Sequence, residues 1–183
     1  MYIAFVGIDG VGKTTIINRI QDSGMDAVFT REPYYNIPKT YNDPVEASYE
    51  FAKDRYRHMK DVIIPAKEAG KHIISDRCYL CNLAYQSHDG LIDLQWLMGL
   101  QPLNLVFPDA VIWMQSDPNI AAKRSGEDAW RLSEIQHIYA EVINSRDLPR
   151  VNWYLVTVDE KSPDEVYVEV ALLISELMRD NGR

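Results

Sequence analysis

Behind Met1 the chain runs YIAFVG, apolar positions without alternation, which predicts a strand buried on both faces. After a short glycine-rich gap, KTTIINRIQ carries Ile16, Ile17 and Ile20 on one face at helical spacing. MDAVFTREP reads as a second short strand running into a proline-bounded loop, and YYNIPKTYND as a polar connection. Asp43 then stands as an N-cap with Pro44 in the first helical position. A long helix is predicted from there to about Glu68, bent or broken near Pro65, which has no backbone N–H to donate. Gly70 marks the turn before a third buried strand, KHIISD. LIDLQWLMGL reads as a helix, DAVIWMQ as a fourth strand, PNIAAKR and SEIQHIYAEVI as two further helices, and VNWYLVTV as a fifth strand. Ser162 and Pro163 cap the final helix, PDEVYVEVALLISELM.

Strands alternating with helices predict parallel pairing through right-handed crossovers. The expected fold is therefore an α/β, doubly wound, five-stranded parallel sheet flanked by helices. Ligands in such sheets bind at the carboxyl ends of the strands. No repeat, low-complexity tract or linker divides residues 1–183, which read as a single domain.

Composition narrows the partners. Nineteen basic against 27 acidic residues give a net charge of −8, which argues against a general nucleic-acid binder. A small anionic substrate remains compatible, because a local cluster of Arg and Lys can dominate inside an acidic shell. No apolar run approaches the roughly 18 residues of a membrane span, and no signal peptide precedes the first strand. The expectation is a cytoplasmic protein without a membrane partner. Cys78 and Cys81 form a lone C-x-x-C without a second ligand pair, which reads as two reduced thiols ahead of a zinc site or a redox dithiol.

The gap after the first strand has chemistry of its own. Gly7-x-x-x-x-Gly12-Lys13-Thr14 matches the Walker A pattern, with the strand before it and the helix after it that the pattern requires. The fold expected is thus that of the P-loop NTPases. Gly7, Asp9, Gly10, Val11, Gly12, Lys13, Thr14 and Thr15 form the candidate phosphate cradle. Glycines let successive N–H groups turn inward around phosphate oxygens, and the helix N-terminus adds partial positive charge. Lys13 would neutralise the β and γ oxygens of ATP, and Thr14 would offer its hydroxyl to Mg²⁺. Asp9 beside bound phosphates is repulsive unless it serves Mg²⁺ or an acceptor hydroxyl. ISDR puts Asp76 and Arg77 at the tip of the third strand, Asp76 placed like a Walker B carboxylate for Mg²⁺. Arg77 is a second cation there, suited to a second phosphate-bearing substrate. For both, a surface ion pair is the plainer alternative.

Five stretches in order, GIDGVGKTT, TREP, FAKDRYRH, SDRCYLCNLAYQ and PDAVIWM, with SPDEV opening the last helix, resemble the thymidylate kinases among the nucleoside monophosphate kinases. The similarity runs over nearly the whole chain. FAKDR…H followed by DR…AYQ is particular to that family, whereas the P-loop is shared by many. The resemblance implies transfer of the γ-phosphoryl of ATP to dTMP with Mg²⁺, in a homodimer joined through helices. Phe51 and Arg55, four apart on one helix face, would stack on the base and hydrogen-bond its carbonyl. Asn82 would read the base, and Tyr85 would lie against the sugar and disfavour a ribose 2′-hydroxyl. Arg31 and Pro33 of TREP border the same acceptor site, Arg31 with Arg77 clamping its 5′-phosphate. Asp9 would meet the sugar 3′-hydroxyl, and Tyr35 would approach Asp9 or the sugar.

Some family members carry a basic residue inside the P-loop, where this chain has Gly10 and Val11. The resemblance then implies a catalytic arginine from a lid over residues 123–131. KRSGEDAWRL supplies Lys123, Arg124 and Arg131 around Gly126, with solvated helix-end charges as the alternative reading. The chain also departs from the family pattern. Gln115 stands where the fourth strand usually ends in Asp, Cys81 replaces a small hydroxyl, Cys78 replaces an aromatic or His, and Tyr34-Tyr35 replace two glycines. Two other classes stay open: a kinase of the same fold acting on another deoxynucleoside monophosphate or on a deoxynucleoside, and a non-catalytic nucleotide-binding switch. Arg77 and Arg31 bear on the first, because a nucleoside has no 5′-phosphate to clamp.

Overall fold

Five apolar segments pair in parallel, in the order β2-β3-β1-β4-β5. They are β1 (Tyr2–Val6), β2 (Val28–Arg31), β3 (Ile73–Asp76), β4 (Ala110–Gln115) and β5 (Asn152–Thr157). The computed structural model describes residues 1–35, 37, 43–88, 92–145 and 150–180. Most of the polar connection YYNIPKTYND (36 and 38–42) and the start of LIDLQWLMGL (91) lie outside the described residues. Strand order runs in opposite directions on either side of β1, so the loop after β1 sits where a doubly wound sheet opens a ligand crevice. The fold is that of the P-loop NTPases.

All five residues of β1 are fully buried, as an unalternating apolar run requires of the central strand. The edge strands differ: β2 is half-buried, and β5 leaves Leu155 exposed. Helix α1 (Lys13–Asp22) buries Ile16, Ile17 and Ile20 against the sheet, each contributing about 1.5–3 kcal/mol of burial.

The long helix needs no break at Pro65. α2 (Pro44–His58) passes into α3 (Ile64–Glu68) through a π-helical turn, Met59–Ile63. There the Ile64 N–H donates to Met59 O, one residue further back than an α-helical bond. The wider turn accommodates the missing proline donor within a continuous helical run. As expected, Asp43 caps α2 by accepting from Val45 N–H at 2.8 Å.

The remaining helices are α4 (Tyr79–Ser87), α5 (Leu94–Gly99), α6 (Pro118–Ser125), α7 (Ala129–Asn144) and α8 (Pro163–Asp180). α7 begins at Ala129, ahead of the expected Ser133, because Asp128 caps it and accepts from Arg131 N–H at 2.9 Å.

Register brings the site together. Phe5 of β1 and Arg31 of β2 both sit opposite Asp76 at the end of β3. The Arg77 N–H donates to Phe5 O at 3.0 Å and the Glu32 N–H to Asp76 O at 2.9 Å. Val6, Glu32 and Arg77 therefore follow at one level, and Gly7 comes one residue beyond.

Candidate active site

The loop after β1 is shaped by glycines at positive φ, notably Gly7 (139°), Gly10 (83°) and Gly12 (98°). Two are also required by space. A Cβ on Gly7 would lie 2.3 Å from Met114 O, and one on Gly10 would lie 2.2 Å from Ala121 O of α6. Gly10 thus lets the loop press against α6, and that packing leaves no room for a basic side chain at that position.

Lys13 is buried, its Nζ donating to Gly7 O at 2.8 Å and Ile8 O at 2.9 Å. Burial, with the like charge of Arg77, pushes its pKa down to about 8. At the start of α1, Thr14 Oγ1 donates to Asp76 Oδ2 at 2.5 Å, while Asp76 Oδ1 is buried without a hydrogen-bond partner. A hydroxyl and a carboxylate with an unused oxygen are the donor set a Mg²⁺ ion takes beside substrate phosphates, so these residues fit the ion.

A cavity of about 510 Å³ extends from this loop towards α8. Asp9, Gly10, Gly12, Lys13, Thr14, Thr15 and Arg77 line its loop end, and Arg124, in the last turn of α6, reaches it from the side. Val158, Lys161, Pro163 and Val166 line the other end. Pro163 and Val166 belong to SPDEV, which the sequence marked only as the opening of the last helix, while Val158 and Lys161 carried no sequence signal. Val11 is buried and lines neither cavity.

A second cavity, of about 790 Å³, opens between α2 and α4. Phe51, Arg55, Asn82, Tyr85 and Pro33 all line it, with Asp9 and Arg77 at its junction with the first. Arg77, itself at φ 79°, is ion-paired to Asp9. A non-glycine residue held in that left-handed conformation is a form of strain that clusters at functional sites. Burial alone would raise the Asp9 carboxyl, but the charges of Arg77 and Lys13 outweigh it and hold the group below the usual range. The Tyr85 ring lies 5.2 Å from the Arg77 guanidinium and 5.9 Å from that of Arg131. Arg131 lines this cavity, together with Glu127, which accepts from its Nη1 at 2.6 Å. The two candidate lid arginines therefore serve different cavities.

An arginine on the apolar side of a helix needs a partner, and for Arg55 it is Glu32 of TREP. Arg55 donates to Glu32 Oε2 from Nε at 2.9 Å and from Nη2 at 2.7 Å, and its Nη1 donates to Gln101 at 2.6 Å. His58 lies 3.3 Å from Glu32 Oε1 and 2.8 Å from Thr30 Oγ1. Burial would raise the Glu32 carboxyl, but the Arg55 charge and the His58 hydrogen bond bring it down to about 2. Sequence reasoning named neither Glu32 nor Gln101; the need for a counter-charge at Arg55 was the signal for the first.

Three candidates stand elsewhere. Arg31 is exposed at the end of β2 and Lys123 is exposed on α6, and neither lines a cavity. Tyr35 is 41% exposed and turned outward, its hydroxyl donating to Asp61 at 2.7 Å. Asp54 of FAKDR accepts from the N–H groups of both Tyr34 and Tyr35 at 2.7 Å, which fixes the loop following Pro33. Cys78 and Cys81 are free buried thiols that border the second cavity.

A phosphate loop, a hydroxyl–carboxylate pair beside it and a second cavity joined through an arginine–aspartate pair are the arrangement of a P-loop enzyme with two adjoining cavities. The sequence model described as thymidylate kinase matches residues 5–166. A probable thymidylate kinase of Staphylothermus marinus is 30% identical, over 96% of this chain and 94% of the relative. A thymidylate kinase of Symbiobacterium thermophilum is 28% identical, over 97% of this chain and 94% of its own. The crystal structure of a thymidylate kinase from Ehrlichia chaffeensis superposes with a TM-score of 0.77 at 22% identity, covering 95% of this chain and 98% of that one. The chain belongs to the thymidylate kinase family, whose members are nucleoside monophosphate kinases with ATP as the phosphoryl donor.

Proposed function

We propose that the protein transfers the γ-phosphoryl group of ATP to the 5′-phosphate of dTMP, giving dTDP and ADP. The observation that carries this reading is that Asp9 and Arg77 line both cavities, so that a donor triphosphate and an acceptor monophosphate would meet end to end there.

The P-loop amides and Lys13 would hold the β and γ phosphates of ATP. Mg²⁺, held by Thr14 and Asp76 with Asp9 near, would neutralise charge on the transferring group. The attacking oxygen belongs to an already anionic phosphate, so no general base is required, and positioning and positive charge carry the catalysis. Arg77 would hold the acceptor phosphate in line, with Arg124 and Arg131 covering the transferring group from the donor and acceptor sides. Residues 123–131 act as a short lid hinged at Gly126, which has a positive φ. Phe51 would face the base, Arg55 and Asn82 its edge, and Tyr85 the deoxyribose, disfavouring a 2′-hydroxyl. Pro33, which lines the second cavity, would border the acceptor. We place the enzyme in the cytoplasm as one domain that forms a homodimer through its helices.

The test is ADP release with ATP against dTMP, dUMP, dCMP, dAMP, dGMP and thymidine. Turnover is expected to be highest on dTMP. Turnover confined to thymidine would shift the acceptor to a nucleoside, and equal rates on dTMP and dGMP would remove Phe51 and Asn82 from base selection.

A further inference from the structure

Arg131 reaches the second cavity from the first turn of α7, and two side chains hold its guanidinium. Glu127 accepts from Nη1 at 2.6 Å, but Glu127 lies within residues 123–131, so that contact goes wherever the segment goes. His88 is different. It stands at the end of α4, the helix that carries Asn82 and Tyr85, and its Nε2 is 3.4 Å from Arg131 Nε. Its Nδ1 is 2.6 Å from Tyr85 O, and a backbone carbonyl only accepts, so Nδ1 carries the ring proton. In the neutral ring Nε2 is then a bare lone pair, the acceptor that the Arg131 N–H needs. A proton on Nε2 would set donor against donor. Both side chains line the second cavity, beside the Tyr85 ring that the Arg131 guanidinium approaches to 5.9 Å.

We propose that His88 is a positioning residue for phosphoryl transfer: it is the point outside the lid segment that fixes where Arg131 sits over the transferring group. Taking Nε–H from the body of the protein, while Glu127 takes Nη1–H from the lid, orients the planar guanidinium and leaves Nη2 for a phosphate oxygen. A neutral imidazole suits this task. It accepts one hydrogen bond without cancelling charge, whereas a second carboxylate would offset the positive charge meant for the phosphoryl oxygens. The inference rests on the proposed kinase reading and on the place of Arg131 in it, and it adds a residue outside every motif.

Turnover of dTMP with ATP tests it through a cycle of variants. His88→Leu fills the place of the ring without an acceptor, and kcat is expected to fall about tenfold, with the KM for ATP and for dTMP changed by less than about twofold. His88→Gln, whose side-chain oxygen can still accept, is expected to keep kcat within about threefold of the parent value. In an Arg131→Ala background, His88→Leu is expected to cost nothing further, because the group it positions is gone. Parent kcat in His88→Leu would overturn the inference. A loss of equal size in both backgrounds would overturn it too, by showing a role in the fold alone. Should His88→Leu fail to fold, the tautomer decides. Long-range proton–nitrogen NMR of the parent protein is expected to show His88 protonated at Nδ1 and bare at Nε2, and a protonated Nε2 would overturn the inference. Parent kcat in Arg131→Ala would remove Arg131 from the transfer, and His88 with it, while sparing the kinase reading. A parent protein that turned over no monophosphate would overturn that reading itself.

Discussion

Lys13 shows how one buried charge is readied for phosphate. Its ammonium is held by two P-loop carbonyls and its pKa lies near 8, well below the ordinary 10.5. Because the folded value is depressed, the folded protein binds fewer protons than the unfolded chain between those two values. Stability of the ligand-free protein therefore rises with pH across that window. Bound phosphates reverse the effect by favouring the charged form. At pH 8, calorimetry of ATP binding in buffers of different ionisation enthalpy is expected to show uptake of about half a proton, shrinking towards zero near pH 6. Lys13→Ala is expected to abolish that uptake and turnover while the fold persists. Proton release on binding would contradict the assignment.

At the scale of elements, the contact between the P-loop and α6 decides where catalytic charge can come from. Gly10 presses on Ala121 O, and Arg124 follows in the last turn of that helix, at the edge of the ATP-side cavity. Gly10→Ala is expected to destabilise the protein by about 1–3 kcal/mol through strain and overpacking. Chemical denaturation measures this, and an unchanged midpoint would show that the loop does not seat against α6 as described. The same elements show what a sequence reveals and what it hides. Five strands were legible as short apolar runs and most helices because their apolar positions repeat at helical spacing, and Gly7–Thr15 because a phosphate loop is a local device. Phe51, Arg55, Asn82 and Tyr85 were picked out by the resemblance of FAKDR and NLAYQ to the family, and helical spacing added only that each pair shares a face. The start of α7 was missed because its cap, Asp128, sits inside the stretch read as a lid. The long helical run to Glu68 was legible, but its π-helical turn at Met59–Ile63 leaves no mark in the pattern. Gln101, Val158 and Lys161 were hidden for another reason: each is brought to its site by tertiary packing alone.

Across the whole molecule, Glu32 ties the end of β2 to Arg55 of the long helix, and through Arg55 to Gln101 and the base-side wall. Its folded pKa, about 2, lies below the ordinary 4.5. The stability this contributes is fully present above about pH 4.5 and is lost as pH falls through the folded value. Thermal unfolding followed from pH 5 to pH 2 is expected to show a falling Tm, with a shallower fall in Glu32→Gln. At neutral pH that variant is expected to lose about 3–5 kcal/mol, because Arg55 remains buried with its charge unpaired. A Glu32→Gln protein of parental stability would show that the pair does not join the two elements. In the proposed function the two cavities meet so that a phosphoryl group passes from ATP to a deoxynucleoside monophosphate. Phosphorus NMR of the protein with ATP, dTMP and magnesium reads this directly. The spectrum is expected to gain the two coupled resonances of dTDP as the γ-phosphoryl resonance of ATP declines. Loss of that γ resonance into inorganic phosphate, with dTMP unchanged, would contradict it.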